Sequence, residues 1–240
     1  MRVKISIILT ISLFLLTFGG CKKNKVEEKP HAKDTSVAVN QDIDRNKKVV
    51  EPKFSIPKER AIITAKAVIY TSKGKIQIGL YGRDAPRTVK NFIGLAKKGY
   101  YNGVLFHRIA KKFLIQTGDP LTKSYSKKAD WGTGGESIYG VEFEDELNPE
   151  TASSKIGYVK GAIAMANRGP NTNTSQFFIC LEEAENLEHR WTIFGRVTDG
   201  INVVENISNV EVLPSPRGTK DGLPKDPVKV FSIRILNNKK

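Results

Sequence analysis

The stretch FHRIAKKFLIQTGDP, at positions 106–120, combines a cation and an amide with aromatic residues. Its pattern is typical of two short strands around a turn, which would direct Arg108, Gln116, Phe106 and Phe113 toward one apolar patch. A charge beside an exposed aromatic surface is unfavourable unless it serves a ligand or a partner. Arg108 is also a permanently charged, rigid hydrogen-bond donor. We therefore expect the functional site to be centred on this stretch.

A second segment, GAIAMANRGPNTNTSQFFI at positions 161–179, carries amides and hydroxyls ahead of an apolar run. The two segments together contain the residue types of a hydrolase triad, in His107, Asp119 and Ser175. No strained nucleophile elbow surrounds Ser175, so a serine hydrolase is not expected. We interpret the polar residues of this segment as a tight loop that holds Asn167 and Gln176 in place.

The elements that must position these residues are short. Residues 65–70 and 75–80 alternate as two strands joined by a turn. Asp84 is expected to cap a helix that has Pro86 in its first turn and stops at Gly99. Further strands are predicted at 104–109, 113–118, 161–166, 176–181, 192–197 and 228–236, and a second helix at 201–207.

Eight short strands, separated by loops rich in glycine and proline, favour a mainly β fold that closes into a barrel. The interior of an eight-stranded barrel is only wide enough for side chains, so a ligand is expected on the outer wall. Cys180 lies in one of the predicted core strands, and we expect no disulfide. His31 and His189 are isolated and show no metal-ligand spacing.

The N-terminus is typical of an export signal. Arg2 and Lys4 precede an apolar run at 5–18, which is too short to span a bilayer comfortably. Two glycines then precede Cys21, an arrangement that resembles a bacterial lipobox, in which the cysteine is acylated. We predict a signal peptide at 1–20 and lipidation of Cys21. The alternatives are a secretory signal with an incidental cysteine and a retained transmembrane anchor.

The segment that follows, 21–61, is rich in charged residues and poor in large apolar ones, so it is predicted to be a flexible tether. The whole chain of 240 residues carries a net charge of +14. Its lysines are scattered, with no basic motif that contains interleaved aromatic residues. We therefore interpret the charge as a solvated surface near an anionic membrane and expect no nucleic-acid binding.

Four motifs identify the family that the chain resembles. F-H-R-I is followed by F-x-I-Q-x-G-D, then by M-A-N-x-G-P-N-T-N-x-S-Q-F-F-I and by W-T-I-F-G-R-V at 191–197. From about residue 62 to 236 the chain resembles a cyclophilin, a peptidyl-prolyl cis–trans isomerase. The resemblance implies an isomerase domain at 62–240, built as a closed eight-stranded antiparallel β-barrel capped by two α-helices. Nothing in the sequence calls for more than a monomer.

The implied reaction is rotation about an X-Pro amide, against a barrier of about 18–20 kcal/mol. No bond is made or broken, so neither a metal nor another cofactor is expected. Catalysis must favour the twisted amide over both planar forms. Twisting leaves a lone pair on the prolyl nitrogen, and by resemblance Arg108 is the fixed donor that stabilises it.

The resemblance also assigns the residues around Arg108. Gln116 and Asn167 complete the catalytic set by holding the peptide through its backbone. The pocket for the proline ring is formed by Phe113, Leu114, Phe178 and Leu187. Ala166 and Gln176 line the neighbouring groove.

This chain departs from the family at three of these positions. Leu114 stands where methionine is usual, a change that conserves volume. Trp191 aligns with a histidine at the pocket rim, where it would supply an apolar wall, and Asn186 aligns with a tryptophan. Because that tryptophan contributes to cyclosporin binding, its absence predicts weak cyclosporin binding. We expect isomerase activity to survive these changes.

The sequence therefore predicts a lipid-anchored protein of the bacterial cell envelope, facing the periplasm or the exterior. Its substrates would be proline-containing polypeptides, namely exported proteins during folding. The competing interpretation is a cyclophilin fold that serves as a chaperone or surface binding module with little isomerase activity. The insert at 121–131 has no function that we can assign from the sequence.

Overall fold

The computed structural model describes residues 60–184 and 187–236, which all belong to one compact unit, Phe54–Lys240. The predicted signal peptide, Cys21 and residues 21–59 of the predicted tether lie outside the described residues, and so does Asn186. Within the described ranges, no helix has the length and apolarity needed to cross a membrane.

One antiparallel sheet forms the domain. Its strands are β1 (Ala65–Thr71), β2 (Gly74–Leu80), β3 (Arg108–Ala110), β4 (Leu114–Thr117), β5 (Ala162–Met165), β6 (Phe177–Cys180), β7 (Ile193–Asp199), β8 (Asp221–Gly222) and β9 (Val230–Leu236). Their spatial order is β8-β3-β4-β6-β5-β7-β2-β1-β9. The helices are α1 (Pro86–Lys97), α2 (Ala152–Ile156) and α3 (Ile201–Ser208), with 3₁₀ turns at Pro120–Lys123 and Tyr125–Asp130.

The predicted closed eight-stranded barrel with two helices is wrong in its closure and its counts. The sheet has nine strands among the described residues and curls into a half-barrel whose edge strands are β8 and β9. The segment before β3 does not extend that strand as predicted, because it turns toward β9 instead. There Leu105 forms an isolated bridge with Lys229, and the Phe106 amide donates to the Val228 carbonyl at 2.9 Å.

Helix α1 has Pro86 in its first turn, as predicted, but Asp84 does not cap it. The Asp84 carboxylate accepts a hydrogen bond from the Ser153 amide at 2.8 Å instead. The free amides of the first turn of α1 are satisfied by Glu146, whose carboxylate accepts from the Arg87 and Thr88 amides at 3.0 and 2.9 Å. A carboxylate at this end of the helix also complements its dipole.

The two faces of the sheet bury separate apolar clusters. The main core lies between the sheet and helices α1 and α3, and it contains Phe106 and Phe177. A second cluster contains Phe178 and Cys180, because neighbouring residues of a strand point to opposite faces. Cys180 is buried in β6, as predicted, and burial raises the pKa of its thiol to about 12. The second cluster is the apolar surface beside which the candidate site lies.

Candidate functional site

Strand pairing places Arg108 and Gln116 side by side. Arg108 of β3 is the direct partner of Gln116 in β4, which in turn pairs with Phe178 of β6, and Phe178 pairs with Ala164 of β5. Directly opposed residues of antiparallel strands project their side chains to the same face. The cation, the amide and the aromatic ring, together with Ala164, therefore form one row across four strands. Phe106 does not join this row, because it is fully buried in the main core.

A chain of hydrogen bonds orients the polar part of this row. Arg108 Nη1 donates to Gln116 Oε1 at 3.3 Å, and Gln116 Nε2 donates to Gln176 Oε1 at 2.9 Å. Gln176 Nε2 donates in turn to the carbonyls of Gly134 and Gly132, at 2.6 and 3.0 Å. Each amide is thus held by its neighbour, and the orientation of Gln116 depends on Gln176.

Arg108 has a second partner that the sequence did not indicate. Its Nε and Nη2 donate to the two carboxylate oxygens of Asp221, at 2.9 and 2.7 Å. Burial by itself would raise the pKa of Asp221, but the hydrogen bonds and charge of Arg108, with a contribution from Arg217, outweigh burial and lower it. Asp221 therefore faces Arg108 as a carboxylate. No motif marks it, because it lies 113 residues from Arg108 in a segment rich in glycine and proline.

The apolar residues predicted to bind substrate all belong to the second cluster or pack against it. Leu114 and Phe178 are 4% and 3% exposed and form its buried part. The other four predicted residues are partly buried and pack against it, namely Phe113, Ala166, Leu187 and Trp191. The structure thus collects these six side chains on the same face of the sheet as Arg108.

Trp191 is fixed at the edge of this cluster by Tyr158. The Tyr158 hydroxyl donates to the Trp191 carbonyl at 2.7 Å and accepts from the Trp191 amide at 2.9 Å. The Trp191 ring meets Phe178 edge to face, with centroids 6.2 Å apart. Burial raises the pKa of Tyr158 to about 12, so its hydroxyl stays protonated and can donate. Sequence reasoning missed Tyr158, which belongs to none of the motifs.

Asn167 lies between two cavities. A cavity of about 50 Å³ is lined by Gln116 and Gln176 as well as Asn167, and a second, of about 470 Å³, by Asn167 and Trp191. Asn167 Nδ2 donates to Asp145 Oδ1 at 3.2 Å and to the Arg190 carbonyl at 3.1 Å. The NH₂ group of its side chain is therefore engaged with the protein.

The residues of the hydrolase triad do not form one. The Asp119 carboxylate accepts from the backbone amides of Leu121 and Gly132, and the Ser175 hydroxyl donates to the Gly118 carbonyl. His107 is buried, and burial lowers its pKa against the opposing effect of the Asp119 charge. Within the described part of the chain, neither ring nitrogen of His107 makes a hydrogen bond, and no cluster of His, Cys, Asp or Glu is arranged to hold a metal.

Comparisons with known proteins indicate one family. Residues 66–235 match the family model described as "Cyclophilin type peptidyl-prolyl cis-trans isomerase/CLD". The chain is 43% identical over 166 residues to Peptidyl-prolyl cis-trans isomerase-like 1 of Aspergillus niger, which covers 69% of this chain and 91% of that protein. It is 47% identical over 151 residues to the Mus musculus protein of the same name, covering 63% of this chain and 84% of that protein.

A solved structure shows the same likeness. The chain matches the crystal structure of the Cryptosporidium parvum cyclophilin type peptidyl-prolyl cis-trans isomerase with a TM-score of 0.60 and 35% identity, over 73% of this chain and 99% of that one. A structure of that protein in the presence of the dipeptide Ala-Pro matches with a TM-score of 0.60 over 72% of this chain.

Proposed function

Because the chain belongs to the cyclophilin-type peptidyl-prolyl cis–trans isomerase family, we propose that Arg108 catalyses its reaction by stabilising the twisted X-Pro amide. The observation that carries this proposal is the row formed by Arg108, Gln116 and Phe178. It presents a cation and an amide directly beside an apolar surface.

The proposed mechanism is electrostatic. A twisted X-Pro amide has lost its resonance, and its nitrogen lone pair becomes an acceptor that the planar forms lack. A guanidinium already held in place by other contacts can donate to it with little reorganisation. Arg108 meets this requirement because Gln116 and Asp221 hold it on two sides. Binding that is stronger in the twisted form than in either planar form accelerates rotation in both directions.

Proline-containing polypeptides are the proposed substrates. The Ala-Pro dipeptide present with the Cryptosporidium parvum relative supports this class of ligand. The ring would rest against Phe113 and Leu187, above the buried Leu114 and Phe178. The peptide backbone would run past Gln116 and Asn167, along the groove lined by Ala166 and Gln176.

The test is the Arg108→Ala variant of the folded domain. Loss of one preorganised donor is expected to lower kcat/KM on the order of 10²–10³-fold, measured by exchange NMR or a protease-coupled assay on a proline peptide. Arg234→Ala is the matched control, because Arg234 is also a strand arginine but stacks on Tyr70 in a different part of the sheet. If Arg108→Ala retained wild-type turnover, the electrostatic mechanism would be wrong.

The binding-module interpretation gives a different result in the same experiment. A chaperone or adhesin with little activity would show no turnover in the wild type or the variant, while client binding would persist in both. The engaged Arg108, Gln116 and Gln176 favour the enzyme, since a pure binding surface has no need of an oriented donor.

We also propose an envelope location for the enzyme, with Cys21 lipidated and exported proteins as its clients. The support is the basic N-terminus, the apolar run at 5–18 and the glycine pair before Cys21. Mass spectrometry of the mature N-terminus tests this, and an unmodified Cys21 would contradict it. Weak cyclosporin binding and a monomeric state remain predictions from the sequence.

A further inference from the structure

The contact between Arg108 and Asp221 points beyond the family assignment. The Arg108 side chain is 27% exposed and that of Asp221 is 18% exposed, so the pair is largely removed from solvent. Both carboxylate oxygens are used, each by a different nitrogen of the guanidinium. A planar two-point contact of this kind defines the orientation of the guanidinium as well as its distance.

The pattern of contacts leaves part of the guanidinium free in a defined direction. A guanidinium has five N–H groups. Asp221 takes one from Nε and one from Nη2, and Gln116 takes one from Nη1. Two hydrogens remain, one on Nη2 and one on Nη1, and the Nη1 hydrogen belongs to the nitrogen that faces Gln116, the direct strand partner of Phe178. Asp221 thus holds the guanidinium by one edge while Nη1, beside Gln116, retains a hydrogen for a ligand.

Asp221 is itself held on the sheet. It lies in β8, where it pairs with Ala110, and Gly222 pairs with Ile109. The Lys111 amide also donates to the Lys220 carbonyl at 2.8 Å. A side chain at Gly222 would not fit, since its Cβ would lie 2.3 Å from the Leu213 carbonyl oxygen. Strand β8 is therefore a support that is fixed to the same strand that carries Arg108.

We propose that Asp221 is a positioning residue, which holds Arg108 in the orientation that donates to the twisted amide. This inference rests on the proposed role of Arg108. It also assigns a role to the two-residue strand β8, because β8 places the Asp221 carboxylate against the Nε and Nη2 edge of the guanidinium. Arg217, whose Nε lies 3.3 Å from Asp221 Oδ1, is the other cation on this carboxylate.

The test is Asp221→Asn, made in the wild type and in Arg108→Ala. Asparagine keeps the shape and one acceptor, but it turns an NH₂ donor toward a guanidinium nitrogen that also donates. Misplacing the guanidinium is expected to lower kcat by about tenfold to a hundredfold, with a much smaller change in KM. Glu211→Gln is the matched control, because Glu211 pairs with Lys225 near the same segment and does not contact Arg108.

The double variant separates positioning from general damage to the fold. If Asp221 acts through Arg108, Asp221→Asn has no further effect on turnover once Arg108 is alanine. An equal loss in both backgrounds overturns the inference, and so does an Asp221→Asn single variant that is as active as the wild type. A wild type without turnover refutes the proposed function instead, and an Arg108→Ala variant with wild-type turnover refutes the mechanism on which Asp221 depends. Melting curves of each variant identify any loss that is due to unfolding.

Discussion

The two sides of the candidate site are supported in different ways. The polar side, defined by Arg108 and Gln116, stands on the paired strands β3 and β4. These strands continue in register to β6, which carries Phe178. The rim at 187–191 lies outside the strands, between β6 and β7. Within the rim, Trp191 is held by one tyrosine hydroxyl and by contact with Phe178.

The departures from the family that the resemblance predicts fall in the same region. The strand-borne residues agree with the cyclophilin motifs, apart from the volume-conserving Leu114, whereas the other two expected departures, Trp191 and Asn186, lie within or directly before 187–191 in the sequence. A residue on a paired strand cannot change without affecting its neighbours in the row, while a loop tolerates new side chains at lower cost. The polar side would then determine the chemistry, and the rim would determine which peptides bind.

The largest predicted effect compares Phe178→Ala with Trp191→Ala. Phe178 is 3% exposed, so its removal leaves a cavity and is expected to cost about 3–5 kcal/mol in the free energy of unfolding. Trp191 is only partly buried, and the space it leaves is open to water, so its loss is expected to cost clearly less. Urea unfolding of both variants measures the two values. Equal costs would show that the rim is as much a part of the core as the strands are.

The fold was predictable where structure depends on local pattern. Alternating residues located β1 and β2, and apolar spacing located α1 and α3. Strand β8 was missed because Asp-Gly has low strand propensity, and it pairs with β3 only through contacts distant in sequence. The cap of α1 was missed for the same reason, since Glu146 lies 58 residues from Thr88.

A smaller effect is predicted for the tie between Tyr158 and Trp191. Tyr158→Phe removes a hydroxyl that makes two backbone hydrogen bonds, worth about 1 kcal/mol each. Because this tie supports the rim and not Arg108, KM is expected to rise while kcat stays near the wild-type value. The emission of Trp191 should also shift, with the second tryptophan of the chain, Trp131, as the reference.

Tyr139→Phe is the control for this prediction. The Tyr139 hydroxyl also donates to a backbone carbonyl, that of Arg87, at 3.0 Å, but it lies outside the site. A fall in kcat in Tyr158→Phe would contradict the separation of chemistry from rim, because it would mean that Tyr158 also orients Arg108.

The site was predictable to the extent that motifs carry it. Apart from Phe106, the predicted site residues lie on or beside one face of the sheet, because the motif segments form adjacent strands and the loops that follow them. The supporting residues Asp221, Tyr158 and Asp145 were not found. Each acts through a contact with a distant segment, and an aspartate in a loop or a lone tyrosine has no spacing that distinguishes it from a surface residue.

The smallest predicted effect is on the pH dependence of stability, and it compares one histidine from each side of the site. His107 is 5% exposed and lies beside Gly132, behind the polar side, whereas His189 lies in the rim, where its ring is 6.0 Å from that of Tyr158. Burial lowers the pKa of both below the ordinary value of 6.5, although the Asp119 charge opposes this at His107. A lowered pKa means that the folded protein resists the proton that the unfolded chain accepts.

The stabilisation that the two neutral histidines contribute is therefore fully present above about pH 6.5, and it is lost as the pH falls below that value. Because His107 is the more deeply buried of the two, His107→Gln should remove more of this acid-induced loss than His189→Gln does. Melting temperatures measured from about pH 7.5 to about pH 5 compare the variants. If His189→Gln removed more of the acid-induced loss of melting temperature than His107→Gln, the rim would exclude water better than the interior behind the strands. That result would reverse the contrast between the two sides.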